Sequence, residues 1–336
     1  MENLRNKRES GVSRIVGVEQ STEDSLSNYF KAQFESEQKD SFEKEHSKEL
    51  DNLINAINGY FKDFLKDYGI DSILIPTKNI HIIDQERLTP EQIESLKQRY
   101  EKVNGLYIPG KQHIGMLAEY KDDRRLAFLQ TLIHEMLHVN SFLSFQKLPD
   151  NKKEQGKQLT RKSDDGKEEE ISLGIRRMGF RIQSLNGETF FYHMDEAIIT
   201  ELTMRFDWKY FSQFSELKKE LERRQEAIDA QSRRSGEDTN ELKRHLANME
   251  EVRHEDGSAT VTLKGYSYDQ ERVALNKLVD DIFQKNKSDF SSTEEVFDVF
   301  AKACMTGRLL PVARLIEKTY GKGSFRAIGE KSGRKD

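Results

Sequence analysis

The chain has a single cysteine, Cys304, among its 336 residues, so no disulfide can form within it. Cys304 sits between Val299-Phe300-Ala301 and Met305, and the expectation is a buried, inert thiol in a reducing compartment. No hydrophobic run approaches the roughly 18 residues of a membrane span. The opening residues MENLRNKRES contain no apolar stretch of the kind a secretory signal needs. These two absences lead to the expectation of a soluble, cytoplasmic protein with no membrane partner. Apolar residues are scarce, 35% against 34% charged, so an ordinary core is diluted by long solvated segments. Excess positive charge is also lacking. Lys and Arg number 54 against 59 Asp and Glu, a net charge of −5, and no nucleic-acid partner is expected. Gly321-Lys322-Gly323-Ser324 lacks the spacing of a phosphate loop.

The order of what is there suggests five segments. Residues 1–40 are polar and read as disordered or loosely helical. A core segment follows over 41–213. Leu50, Leu53, Ile54, Ile57, Tyr60, Phe61 and Leu65 recur at helical spacing within Phe42–Tyr68, and Gly69 ends that helix. Ser72–Pro76 and Asn79–Asp84 read as extended. Thr89-Pro90-Glu91 starts a helix running to about Val103. Gly105–Pro109 and Ile114–Tyr120 read as strands. Asp122 or Asp123 caps an apolar helix through about Phe145, and 147–170 reads as an exposed loop. Asn186-Gly187 marks a hairpin between Ile171–Gln183 and Thr189–His193, and Asp195 opens another helix. Residues 214–256 form a charge-dense helical insertion, with Ser215–Gln231 and Asn240–Val252 as its helices. That insertion is the candidate surface for a protein partner, although a solvated face is the plainer reading. Residues 257–322 are helical, with helices over Tyr268–Phe283, Thr293–Cys304 and Leu309–Tyr320, and 323–336 form a basic tail.

The chemistry concentrates at His134-Glu135-Met136-Leu137-His138, an H-E-x-x-H motif inside the apolar run Leu126–Leu143. Histidines at i and i+4 face the same way on a helix, so both imidazoles can reach one ion. Two unpaired imidazoles in a core are costly to desolvate, and a bound Zn²⁺ removes that cost. Glu135, beside the first histidine, can reach a water on the metal. A catalytic zinc needs a third protein ligand and an open position. The extended pattern with a third histidine is absent, because position 144 is Ser. The ligand must come from elsewhere, and Phe191-Tyr192-His193-Met194-Asp195-Glu196-Ala197, opening an apolar helix that continues to Glu201, is the best source.

Here the chain resembles the gluzincins, zincin metallopeptidases whose third zinc ligand is a glutamate on a later helix. The resemblance covers the H-E-x-x-H helix and the Asp195-Glu196-Ala197 turn. It implies an α+β, zincin-like fold: a small mixed sheet packed on the H-E-x-x-H helix, then a mostly helical C-terminal half. It implies His134, His138 and Glu196 as ligands of one Zn²⁺ per chain, and Glu135 as general base in peptide-bond hydrolysis. Glu201 and His193 are rival ligands, and Asp195 suits an N-cap. Thr200 stands where many relatives carry a second acid. His193, or one of Tyr192, Tyr266 and Tyr268, can donate to the oxyanion. Zincins pair substrate with an edge strand beside the active-site helix. Ile114–Tyr120 is placed in that role, with an interior strand as its rival. The partner implied is a peptide or protein substrate. The alternatives are an inactive relative that keeps zinc structurally and a helical interaction protein working through 214–256.

Overall fold

A computed structural model describes residues 10–36, 43–92, 94, 104–117, 120–162, 168–253 and 259–334. The chain opens with β1 (Arg14–Val16) and α1 (Gln20–Glu35), then β2 (Glu43–Lys44) and α2 (Lys48–Asp67). The apolar spacing predicts α2, and its physics is simple. Ser47 accepts the Leu50 N–H at the N-terminus, Glu49 and Asp51 lie in the first turn, and Leu50, Leu53, Ile54, Ile57, Phe61 and Leu65 are buried. Strands β3 (Ile80–Ile83), β4 (Gly105–Ile108) and β5 (His113–Met116) follow, then the motif helix α3 (Arg125–Asn140). Next come β6 (Leu143–Lys147), β7 (Lys157–Lys162), β8 (Glu168–Met178), β9 (Arg181–Gln183) and β10 (Thr189–Phe190). Helix α4 (Tyr192–Tyr210) is followed by α5 (Lys218–Ser235), α6 (Thr239–His245) and the β11 (Leu246–Arg253)–β12 (Ala259–Gly265) hairpin. Helices α7 (Asp269–Lys285), α8 (Thr293–Thr306), α9 (Leu310–Tyr320) and α10 (Ser324–Lys331) complete the described chain.

Most helices and the two larger sheets share one apolar core, and the β11–β12 hairpin packs through a small second cluster of Met204, Ala247 and Tyr266, an α+β arrangement. The first sheet has the order β2-β3-β5-β4, with β5 parallel to β3 and antiparallel to β4. The second runs β1-β6-β8-β9-β10, with β7 also paired to β8. Helix α3 is buried almost all round, from Leu126 to Asn140. Among the described residues no helix is long and apolar enough to cross a membrane.

Several sequence expectations are corrected. Within 10–36 the chain is ordered: β1 pairs with β6, and α1 buries Leu26, Phe30 and Phe34. Three large side chains per helix are enough to dock it. The stretch 147–170 is no simple loop, since its β7 pairs in register with β8. Residues 163–167 of that stretch lie outside the described residues. The apolar run through Phe145 divides at Asn140, beyond which Leu143–Lys147 is a strand. Neither Asp122 nor Asp123 caps α3. Its N-cap is Arg124, and Asp122 pairs with Arg125. Residues 72–76 pair with no strand among the described residues. Asn58 and Asn140 side chains bind the Ile75 and Ile73 backbone instead. Asn240–Val252 is helical only to His245 and then becomes β11. The tail after Gly321 includes α10. Among the described residues strand β5 is interior, flanked by β3 and β4, so the edge beside the motif helix is β4 rather than the Ile114–Met116 part of Ile114–Tyr120, of which 118 and 119 lie outside the described residues. The Thr89 helix start is present as a reciprocal Thr89–Gln92 capping box. Most of its expected course, 95–103, lies outside the described residues.

Candidate metal centre

Two buried helices meet at the site. On α3, His134 and His138 are one turn apart, and their Nε2 atoms lie 3.2 Å from each other. From α4, Glu196 brings Oε2 to 3.3 Å from His134 Nε2 and 3.4 Å from His138 Nε2. Among the described residues, this is the group of three His, Cys, Asp or Glu side chains whose ligand atoms converge. The spacing suits a tetrahedral ion. With bonds of about 2.0–2.1 Å, neighbouring donors of a zinc tetrahedron stand about 3.3–3.4 Å apart. Two imidazole nitrogens and one carboxylate oxygen are also the donor set of a zinc that keeps an open position.

The charges are coupled. Burial pushes the Glu196 carboxyl up, but His138, His134 and Arg181 outweigh it and hold the group well below the usual carboxylate range. Burial pushes the His138 imidazole down, but Glu196 foremost, together with Glu135 and Asp195, outweighs it, so its net shift is upward. His138 Nδ1 is buried with no hydrogen-bond partner among the described residues.

The Glu135 carboxylate reaches the β4 backbone. Its Oε2 accepts the Tyr107 N–H at 2.7 Å. The geometry of β4 explains why that N–H is available. Leu117 N–H donates to the Asn104 carbonyl, so in the antiparallel β4–β5 register Leu106 and Ile108 face β5 with their polar backbone groups. Gly105 and Tyr107 turn theirs away from β5, to what is the outer side of the sheet among the described residues. The strand comes so close to α3 that a Cβ on Gly105 would lie 2.7 Å from Thr131 Cγ2 and 3.3 Å from Glu135 Cγ.

The other sequence candidates separate. His193 Nδ1 is 3.2 Å from Glu271 Oε1, and His193 lies outside the converging group. Glu201 turns to Arg205 at 2.9 Å and Arg272 at 3.1 Å. Asp195 is no N-cap, because α4 begins at Tyr192 after Phe191, which has φ +58°. Its Oδ1 accepts the Phe180 N–H at 2.8 Å. Thr200 is buried, and its Oγ1 has no partner among the described residues. Tyr266 donates to Asp207 at 2.6 Å within a buried ionic cluster, so its hydroxyl proton is already engaged. Tyr268 is beside the site. Its ring lies parallel to His134, with centroids 6.3 Å apart, and its hydroxyl is 3.4 Å from that of Tyr192. Burial, with Glu196 nearby, pushes the Tyr268 phenol up, so it stays protonated and able to donate.

Arg181 went unnoticed in the sequence. Its Nη2 donates to Glu196 Oε1 at 2.5 Å, and its guanidinium lies 4.4 Å from the Tyr192 ring centroid. It arrives from β9, and no spacing rule links a strand arginine to a helix glutamate.

No protein-family model, curated protein or solved structure matches the chain.

Proposed function

We propose that the protein is a zinc-dependent metallopeptidase, with His134, His138 and Glu196 holding the metal and Glu135 acting as general base. The observation that carries this reading is the convergence of the three donor atoms at 3.2–3.4 Å, the edge length a zinc tetrahedron requires. A single Zn²⁺ bound there would supply a Lewis acid and a water acidified toward neutral pH. Glu135 is fixed beside the ligand pair by the Tyr107 N–H. It takes the proton from the attacking water and passes it to the departing amine nitrogen. Among the described residues β4 is the outer strand of its sheet beside α3, and Gly105 turns its backbone away from β5, an arrangement that suits pairing with an extended peptide and supports peptide bonds as the substrate. Tyr268, and not Tyr266, has the position to donate to the developing oxyanion. The cytoplasmic, zincin-like reading extends the same proposal.

Two measurements test it. Purified protein should hold one zinc per chain. Glu135→Gln should keep that zinc while cleavage of a peptide library falls about 10²–10⁴-fold, the usual share of a general base. Cleavage by Glu135→Gln at the wild-type rate would exclude this mechanism. Absence of zinc would favour the interaction protein.

A further inference from the structure

We propose that Arg181 is the positioning residue of this centre, fixing Glu196 so that a single carboxylate oxygen faces the metal. The inference rests on the zinc reading above. A glutamate carboxylate rotates about a broad, roughly two-fold torsion, so its ligating oxygen must be selected by something else. Arg181 Nη2 occupies Oε1 at 2.5 Å, and Oε2 is left to the histidine pair.

The guanidinium is itself located by the ligand helix. It lies over Tyr192, the first residue of α4, and its Nη2 is 3.7 Å from Asp195 Oδ2. The preceding residue repeats the arrangement with backbone: Phe180 N–H donates to Asp195 Oδ1 at 2.8 Å. Consecutive residues of the β8–β9 turn thus address consecutive acids of α4. That turn requires Gly179, which has φ +55° and leaves no room for a Cβ beside Asp195 Oδ1 and Cys304 Sγ. The hairpin sets α4 at the height where Glu196 meets α3. A planar, always-charged fork suits this task better than lysine, whose ammonium is a point charge on a flexible stem.

Two effects of Arg181 on metal affinity oppose each other. Its charge repels a cation, while its hydrogen bond prepays the orientation of the ligand. Partners that orient metal ligands typically contribute 10–100-fold in affinity, and we assign Arg181 to that class. The test uses the full chain, stripped with chelator and titrated with zinc against a chromophoric competitor. Arg181→Met should raise the zinc dissociation constant about 10–100-fold, and Arg181→Lys should recover part of the loss. With cobalt(II) in place of zinc, Arg181→Met should show weaker visible absorption, as the released second oxygen of Glu196 joins the ion and raises its coordination number. Melting of the metal-free variants shows whether each is folded, and Arg181→Lys carries the test if Arg181→Met is not. Wild-type-like or tighter zinc binding by the folded variant would overturn the assignment while leaving the zinc reading intact. A wild-type chain that takes up no zinc would remove both.

Discussion

Gly105 illustrates how one atom separates backbone from chemistry. A methyl group there would meet Thr131 Cγ2 at 2.7 Å and Glu135 Cγ at 3.3 Å. Thr131 cannot swing aside, because its hydroxyl donates to the Ala127 carbonyl of its own helix. Replacing a strand glycine by alanine usually contributes about 0.4–1 kcal/mol through the unfolded chain, whereas forcing a methyl into filled space costs about 1–3 kcal/mol. Strain therefore wins. Gly105→Ala is expected to lower stability by about 1–2 kcal/mol on balance. On the proposed peptidase reading it should also lower the cleavage rate, because β4 and its Tyr107 N–H move away from Glu135, while zinc content stays at the wild-type level. Metal analysis beside initial rates checks this, and loss of zinc in step with rate would contradict it. At this scale the histidines were legible because i and i+4 is a rule of the helix itself. Glu135 came with them. Its partner, a backbone N–H on an edge strand, was not legible, since no residue type marks it. Arg181 escaped for the same reason: its contact depends on how a hairpin lies against a helix.

Helix α4 serves two clients on two faces. Glu196 looks to α3, whereas Glu201 is held between Arg205 and Arg272, the latter 2% exposed. Burial pushes the Glu201 carboxyl up, yet the two guanidiniums hold it below its ordinary value. A depressed carboxylate contributes stability above its unfolded pKa of about 4.3, and that contribution is lost as pH falls through the lower, folded value. Glu201→Gln leaves the Arg272 charge buried with only part of its compensation. Breaking such a pair costs about 3–5 kcal/mol, and the Arg244 carbonyl beside Arg272 places the expectation near the lower end. Denaturant unfolding near pH 7 should show that loss, and the gap between variant and wild type should narrow as the solution is acidified below about pH 4. A gap independent of pH would remove the ion pair as its cause. Elements with dense apolar spacing were legible: α7 to α9 to within about two residues, and α2 along its buried face, although it begins only at Lys48 and Glu43–Lys44 before it is a strand. The segments that were not, α1 and the β7–β8 hairpin, bury few apolar side chains among many charged ones. Leu26, Phe30 and Phe34 recur every four residues, a thin stripe that composition conceals.

Across the whole molecule, the charge-dense stretch after α4 is joined to α3 and α4 by a buried polar cluster. Asp207 accepts from both terminal nitrogens of Arg224, from Gln130 Nε2 and from the Tyr266 hydroxyl. Gln130 belongs to α3, one turn before His134, and with Arg224 it also binds the Ala247 carbonyl that opens the β11–β12 hairpin. An aspartate with four donors has no reason to release any of them before the core itself opens. The helices α3, α4 and α5 and the hairpin should therefore unfold together. On the proposed zinc reading, the metal supplies the means to observe it. A ligand that binds only the folded chain, held free at about 100 times its dissociation constant, stabilises by about 2.7 kcal/mol. Spread over the unfolding entropy of a chain this long, about 2.1 cal/mol/K per residue, that is a rise of about 4 °C in melting temperature. Calorimetry of metal-free and zinc-loaded protein should give a single transition that moves as one by about this amount. A chelator should reverse the shift, and His134→Ala should abolish it. Two transitions, with only the one containing α3 responding to zinc, would mean that the Asp207 cluster does not couple the halves. A larger shift confined to that transition would follow, because the same 2.7 kcal/mol would act on a smaller unfolding entropy.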